Sequence, residues 1–162
     1  MRLTSPPETP VTPYDRLGAL GLTLPKPMAP AANYVPYVFS GSHLYISGQG
    51  PVDGAGAMRI GRVGDDRSAE QAYEDARITG LMILAQAQAA LGDLARVVRV
   101  VKLLGMINSS PDFKDHPKVI NGCSDLLVAV FGEAGRHARS AVGVSSLPWG
   151  ISVEIEAIFE IA

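Results

Sequence analysis

The C-terminal segment has the clearest alternation of hydrophobic and polar positions in the chain. In ISVEIEAIFEI, residues 151–161, every odd position is apolar, and the even positions include Ser152, Glu154, Glu156 and Glu160. Strict period-two alternation predicts a β-strand that buries one face and turns a polar face away from the core. That polar face is either solvated, as is common for antiparallel sheets, or covered by another subunit.

Two segments have the periodicity of amphipathic helices. Residues 68–71 form a capping box, apolar residues recur on one helical face over residues 72–91, and Gly92 is placed to end the helix. The second helix is expected to begin near Pro117, and its apolar face extends to Phe131. Two such helices can cover one face of a sheet.

Three further segments have the composition of strands. Residues 34–49 (YVPYVFSGSHLYISGQ) predict a hairpin with Gly41 at the first central position of a type II′ turn. Residues 95–108 are long enough for a core strand, and the small and β-branched residues after Arg139 predict another buried strand. The resulting order, β-β-α-β-α-β-β, predicts the α+β class, with a single mixed sheet and two helices packed on one face.

Residues 1–32 are rich in proline and threonine and predict an N-terminal extension. We expect its first dozen residues to be extended or disordered. A short helix then follows Thr12, with Pro13 at its first position, and LPKPMAPAAN, residues 24–33, forms a proline-rich connector. Residues 33–162 are assigned to one domain.

Composition restricts the function classes. The chain has 162 residues, 47% of them hydrophobic, which suffices for one core. The formal net charge is −2 and the sequence has no cluster of lysine and arginine, so the basic surface typical of nucleic-acid binding is not expected. The single cysteine, Cys123, fits a reducing compartment. Neither a signal-peptide layout nor a membrane-spanning stretch is found, so we expect a cytoplasmic protein without nucleic-acid or membrane partners.

The remaining reactive residues carry weaker signals. His43, His116 and His137 are scattered without metal-ligand spacing, so we expect no metal site. Cys123 lies on the apolar face of the second helix, which is more typical of a core residue than of a nucleophile. Residues 48–50, Gly-Gln-Gly, lack the spacing and the following helix of a phosphate-binding loop.

The motif RHARSAVGVSSLP places a charge beside a strand with a buried pattern. If Val142 and Val144 face the helices, then Arg139, Ala141 and Gly143 face the other way, and the two small residues leave a hollow beside the guanidinium. A guanidinium is shaped to bind a carboxylate through two parallel hydrogen bonds. Its partner is either a glutamate of the protein or a small acid, and the residues alone leave both open.

Three segments together resemble a known family. SGQGP (residues 47–51), ARSAVGVSSLP (138–148) and VEIEAIFE (153–160) are similar to the signature segments of the RidA (YjgF) superfamily of reactive-intermediate deaminases, once labelled endoribonucleases. The resemblance implies a chorismate-mutase-like α+β fold that assembles as a homotrimer. In such trimers the sheet faces not covered by helices surround the three-fold axis, and the pockets lie between subunits.

The resemblance also implies roles for individual residues. Arg139 corresponds to the arginine that holds the substrate carboxylate, with Ala141 leaving room beside it, and Glu154 to the glutamate that positions the hydrolytic water. Gly48 would supply backbone contacts with Ser47 beside it. The pocket-lining aromatic residue of the family corresponds to Tyr34, which we therefore expect to contact the substrate. Such enzymes hydrolyse 2-aminoacrylate and related enamines or imines to 2-keto acids and ammonia, and need no cofactor.

A geometric estimate suggests that one chain does not complete this site. If residues 147–150 join the last two strands as a hairpin, Arg139 lies opposite Ile158, and Glu154 is roughly 13 Å away along the strand. We therefore expect the site to be completed across a subunit interface.

Some features depart from the family pattern. His137 stands where the family usually has proline or a small residue. The extension, the glycine-rich residues 53–67 and the longer second helix resemble a longer branch of the superfamily.

The alternative function is a non-catalytic trimer that binds small carboxylates or partner proteins through the same Arg139 pocket. A ribonuclease would need a basic groove, and a chorismate-mutase-type reaction a second cation such as Arg136.

Overall fold

The helices and strands follow the predicted order. The computed structural model describes residues 10–162, which form α1 (Pro13–Ala19), β1 (Tyr37–Ser40), β2 (His43–Gln49), α2 (Ala69–Leu91), β3 (Val97–Asn108), α3 (His116–Phe131), β4 (Ala138–Val144) and β5 (Val153–Ile161). After α1, this is the expected β-β-α-β-α-β-β order. The predicted type II′ turn of the β1–β2 hairpin agrees with Gly41, whose φ is +55°.

All five strands belong to one sheet with the order β1-β2-β5-β3-β4. β3 and β4 are parallel and every other neighbouring pair is antiparallel, which confirms the mixed sheet. Along the central strand β5, the odd positions are buried: Val153, Ile155, Ala157 and Phe159. The alternation therefore predicted correctly which face of β5 enters the core.

Helices α2 and α3 pack together on that buried face. Ser68 caps α2 by accepting a hydrogen bond from the Gln71 N–H at 3.1 Å, and the Gln71 side chain accepts one from the Ser68 N–H at 2.9 Å. A Cβ at Gly122 of α3 would overlap the Tyr73 carbonyl oxygen of α2, so the close approach of the helices requires glycine there. Burial raises the pKa of the neighbouring Cys123 thiol to about 12, consistent with a core residue.

The predicted pairing of the last two strands is wrong. β4 does not form a hairpin with β5. It lies at the sheet edge, parallel to β3, and β5 inserts between β2 and β3. The connection through the 3₁₀ turn Pro148–Gly150 thus crosses β3 rather than reversing the chain beside β4. A strand with one wholly apolar face is best buried at the sheet centre, and β5 takes that place.

The predicted orientation of β4 is also wrong. Arg139 pairs with Leu103 of β3, and directly paired residues of neighbouring strands share a face. Since Leu103 is buried beneath the helices, Arg139 lies on the helix-covered face, and Ala141 packs there against the core. Val142 instead lies on the uncovered face, where it is 43% exposed. As an edge strand, β4 turns its small residues towards α3 and leaves a valine outside.

The predicted short helix of the extension forms. Thr12 accepts a hydrogen bond from the Asp15 N–H at 3.1 Å, and the Asp15 carboxylate accepts one from the Thr12 N–H at 2.8 Å. Leu17 of α1 is buried in the core. Residues 1–9 of the segment expected to be extended or disordered lie outside the described residues, and the boundary between residues 32 and 33 stays a prediction.

A buried ion pair ties the long loop before α2 to the sheet. Arg67 binds both carboxylate oxygens of Asp75, and its Nη2 donates to Oδ1 at 2.6 Å. Asp75 is 1% exposed and also accepts a hydrogen bond from Ser152 Oγ at 2.6 Å. The network joins the end of the loop, the first turns of α2 and the start of β5.

Candidate functional site

A cavity of about 560 Å³ lies on the uncovered side of the sheet, at the end where β2 and β5 meet the proline-rich connector. Four of the predicted site residues line it: Tyr34, Ser47, Gly48 and Glu154. The structure therefore brings together the residues of the SGQGP and VEIEA segments.

A β-bulge places Gly48 directly beneath Glu154. The register between β2 and β5 shifts between Ile46, which pairs with Ala157, and Gln49, which pairs with Ile155. Bulges redirect side chains and backbone at functional sites. A Cβ at position 48 would overlap the Glu154 Oε1 atom, so glycine is required for the carboxylate to lie where it does.

Glu154 is a half-buried carboxylate, and within residues 10–162 no basic side chain forms an ion pair with it. Burial raises its pKa above the usual range, and the neighbouring charge of Glu156 raises it further. Among residues 10–162, none donates a hydrogen bond to this carboxylate. A carboxylate with a raised pKa and free oxygens is suited to accept a proton from water.

Ser47 ties the segment between the connector and β1 to the sheet beside this carboxylate, and Gln49 bonds to Ser47. Ser47 Oγ donates to the Val35 carbonyl at 2.7 Å, and the Ser47 N–H donates to the Pro36 carbonyl at 3.0 Å. Gln49 is nearly buried and donates through Nε2 to the Ser47 carbonyl at 3.0 Å. The Ser47 hydroxyl thus donates its proton to the protein backbone, and it can only accept a hydrogen bond from a ligand.

Sequence reasoning missed three parts of the cavity wall. Gln49 belongs to the SGQ motif and could have been included with it. Trp149 and the connector residues 28–32 also line the cavity, although neither has a pattern that links it to the site.

Arg139 lies outside this cavity, on the other face of the sheet. Its Nη1 donates to Asn121 Oδ1 at 2.8 Å and to Ser124 Oγ at 3.1 Å, and its Nη2 donates to the Pro117 carbonyl at 3.3 Å. All three acceptors are neutral and belong to α3. Within residues 10–162, no carboxylate lies within 4.0 Å of the guanidinium. Since a guanidinium has five N–H donors, it keeps both a charge and donors available for an anion.

His137 orients one of these acceptors. Its Nδ1 donates to the Gly135 carbonyl at 2.6 Å, which leaves Nε2 to accept the Ser124 hydroxyl proton at 2.9 Å. Ser124 Oγ can then present a lone pair to Arg139. Burial lowers the pKa of His137, and the Arg139 charge lowers it further, although the hydrogen bond to Gly135 opposes both. His137, the residue that departs from the family pattern, is thus a neutral histidine that orients the Ser124 hydroxyl bound by Arg139.

The described part of the chain offers no group of three or more histidine, cysteine, aspartate or glutamate side chains placed to hold a metal ion. Within the same residues, no helix has both the length and the apolar character needed to cross a bilayer.

Comparisons with known proteins identify the family of the chain. The sequence model of the family described as "YjgF/chorismate mutase-like, putative endoribonuclease" matches residues 14–155, a region that includes every predicted site residue. The chain belongs to the YjgF/RidA family.

Its relatives in the YjgF/RidA family match over nearly the full chain. Protein TCP17 of Trypanosoma cruzi is 49% identical over 146 residues, which cover 90% of this chain and 91% of that protein. The crystal structure of Atu1372 from Agrobacterium tumefaciens is 47% identical with a TM-score of 0.85, covering 93% of this chain and 92% of that one. RidA from the Antarctic bacterium Psychrobacter sp. PAMC 21119 is 30% identical with a TM-score of 0.59, covering 84% and 94%.

Proposed function

We propose that the protein is an enamine/imine deaminase that hydrolyses 2-aminoacrylate-type intermediates to 2-keto acids and ammonia, and that it acts in the cytoplasm. The observation that carries the proposal is the half-buried Glu154 carboxylate, which has a raised pKa and no hydrogen-bond donor among residues 10–162, and which faces a cavity of about 560 Å³. Structural carboxylates in such positions usually have partners, so an unpartnered one favours a role in chemistry.

The reaction needs little more than a positioned water molecule. The enamine tautomerises to an imine, whose carbon is electrophilic. Water adds to the carbon of the protonated imine while Glu154 takes one of the water protons, which gives a neutral carbinolamine. Glu154 returns this proton to the nitrogen. The carbon–nitrogen bond then breaks as the hydroxyl proton passes to Glu154, and ammonia and the 2-keto acid result. Positioning and proton transfer suffice, so no metal or organic cofactor enters the scheme.

The proposal includes a homotrimer in which Arg139 of a neighbouring subunit holds the substrate carboxylate. Two features support it. The uncovered face of the sheet has exposed apolar side chains in the strand centres, including Val38, Tyr45 and Val142, which a monomer would leave in water. Arg139 lies on an edge strand with an unneutralised charge, where a neighbour can reach it.

A ribonuclease function fits the cavity poorly. Glu154 and Glu156 both line it, and two carboxylates repel the phosphate groups of RNA. The lining includes no lysine or arginine among the described residues that could offset them.

The experiment is a deaminase assay on 2-aminoacrylate generated in situ by a PLP enzyme, with ammonia release as the readout. We expect Glu154→Gln to lose about 10²- to 10⁴-fold in rate, the usual contribution of a general base. Arg139→Ala should raise KM strongly, whereas Arg136→Ala should behave like the wild type because Arg136 pairs only with the exposed Glu133. A wild type no faster than spontaneous hydrolysis would favour the non-catalytic carboxylate-binding protein instead.

A further inference from the structure

The cavity beside Glu154 is much larger than a three-carbon substrate requires. Its volume of about 560 Å³ lies in the range of sites that hold drug-sized ligands. A three-carbon imino acid displaces only about as much volume as three or four water molecules, roughly 100 Å³. Within one subunit, such a substrate would fill only a small part of this volume.

The cavity lining has both a polar and an apolar part. Ser47, Gln49 and Glu154 lie at the β-bulge or pair beside it, where the proposed chemistry takes place. The apolar wall includes Met58, Trp149 and the connector residues 28–32, whose side chains are methionine, alanine and proline. An apolar wall in the same cavity as a polar reaction centre is suited to the side chain of a substrate.

The connector is fastened in place. Gln86 of α2 is buried and donates through Nε2 to the Met28 carbonyl at 2.7 Å. At the other end of the connector, the Tyr34 N–H donates to the Ala32 carbonyl at 2.9 Å. The Gln86 bond thus ties the connector to α2, and the Tyr34 bond closes a local turn at its end.

Trp149 closes the wall in an unusual backbone conformation. Its φ is +56°, and among residues 10–162 no other non-glycine residue has a positive φ. For a bulky residue this conformation is strained and tends to occur at functional sites. The side chain is nevertheless 64% exposed, so packing within the chain does not explain the choice of tryptophan.

We propose that this cavity takes 2-imino acids with large apolar or aromatic side chains, and that Trp149 and residues 28–32 determine this specificity. The inference rests on the proposed function, since it names the substrate class of the same site. The side chain of the imino acid lies against the apolar wall while its imine carbon lies beside Glu154. The Glu156 carboxylate, which also lines the cavity, disfavours acidic side chains.

The test compares imines generated in situ by amino-acid oxidases from alanine, leucine, phenylalanine and glutamate. We expect kcat/KM for the leucine and phenylalanine imines to exceed that for the alanine imine at least about 10-fold, since each methylene in an apolar pocket contributes about that factor. Trp149→Gly, which fits the backbone, should lower kcat/KM for the two large imines about 10-fold, mainly through KM, and should lower kcat/KM for the alanine imine by a smaller factor, because its side chain is short. Trp149→Phe should retain the preference.

The outcomes separate this inference from the proposed function. Equal or faster hydrolysis of the alanine imine overturns the specificity and leaves the deaminase intact. No acceleration with any imine overturns the deaminase, and calorimetry with the 2-keto acids then tests the cavity alone. Phenylpyruvate that binds at least about 10-fold more tightly than pyruvate supports the assignment, and equal binding overturns it.

Discussion

Arg139 and Glu154 lie on opposite faces of one sheet, with β3 between their strands. Met106 of β3 pairs with both Glu154 and Val142, so Arg139 is displaced three positions along β4 from the row of Glu154. This displacement corresponds to about 10 Å along the strands and about 10 Å across the sheet. If both residues act on one substrate, they must come from different subunits.

Subunit complementation tests this arrangement. At a substrate concentration well below the KM of Arg139→Ala, both Arg139→Ala and Glu154→Gln are expected to have little activity alone. In mixed trimers, some sites combine the intact Arg139 of one subunit with the intact Glu154 of its neighbour. Random assembly from equal amounts should restore about a quarter of the wild-type activity per site. Ammonia release after co-refolding measures this fraction.

The control replaces one partner by the double variant, Arg139→Ala with Glu154→Gln. Mixtures of the double variant with either single variant contain no complete site and should stay inactive. Absence of recovery in the first mixture, with mixed trimers demonstrated by mass spectrometry, would contradict a shared site.

Gly48 tests whether the position of the Glu154 carboxylate matters. Gly48→Ala puts a methyl group where Glu154 Oε1 lies, and the flexible side chain can move aside. We therefore expect a small change in Tm but a loss of kcat of about 100-fold, because misplacing a catalytic group by 1 Å has roughly that effect. Gly54→Ala is the matched control, since nothing lies within 4 Å of its Cβ position. Similar kcat values for the two variants would show that the carboxylate position is unimportant.

The raised pKa of Glu154 predicts how the stability of the fold depends on pH. Burial and Glu156 raise this pKa above the unfolded value of about 4.3, so the folded protein disfavours the ionised carboxylate. The charge therefore lowers the free energy of unfolding above the folded-state pKa, and the penalty disappears below about pH 4. Glu154→Gln should have a higher Tm than the wild type at pH 8 and an equal Tm near pH 4. Glu160→Gln, which lies on the same strand outside the cavity, serves as the control, and a Glu154→Gln variant with a lower Tm at pH 8 would refute the assignment.

The local sequence pattern correctly predicted the positions of Glu154 and the SGQ segment. The position of Arg139 depended on long-range strand pairing, which the pattern did not predict. The alternation in β5 is independent of its neighbours, so it fixed the face of Glu154, and the SGQ segment lies on the adjacent strand β2. The face of Arg139 depends on which strand pairs with β4. A hairpin with β5 was the simplest assumption, and the pairing with β3 reversed the orientation of Arg139 and Ala141.

The expectation that one chain does not complete the site was based on the wrong strand pairing, yet the separation it predicted exists for another reason. Trp149 shows a further limit of sequence reasoning. Its positive φ follows from how the segment between β4 and β5 crosses the sheet, and a Pro-Trp-Gly sequence alone carries no sign of the wall that it completes.

The histidine that supports Arg139 makes the protein sensitive to acid. Because the folded-state pKa of His137 lies below its unfolded value of about 6.5, the neutral histidine contributes stability above that pH, and this stability is lost as pH falls through the folded-state pKa. On protonation, Nε2 can no longer accept the Ser124 proton, and a second cation faces Arg139. Between pH 7 and pH 5, the Tm of His137→Gln should therefore fall by less than the Tm of the wild type.

His43→Gln is the control for the general effect of removing an imidazole, since the His43 ring has no hydrogen bond to the described residues. Both variants and the wild type are compared by thermal unfolding at half-unit pH steps. Identical slopes for His137→Gln and the wild type would mean that the histidine does not titrate on unfolding.

The Arg67–Asp75 pair should contribute most to the stability of the loop that borders the cavity. Asp75→Asn leaves the Arg67 guanidinium largely buried without a counter-charge, which costs about 3–5 kcal/mol. For a chain of this size we expect a fall in Tm of about 10 °C.

Glu133→Gln, which breaks the exposed pair with Arg136, should lower the free energy of unfolding by no more than about 1 kcal/mol. The combined variant Arg67→Met, Asp75→Leu and Ser152→Ala should recover most of the loss, because an apolar group of similar volume leaves neither a buried charge nor an unpaired Ser152 hydroxyl. Equal losses for Asp75→Asn and Glu133→Gln in urea unfolding would mean that the buried network adds no more stability than a surface pair.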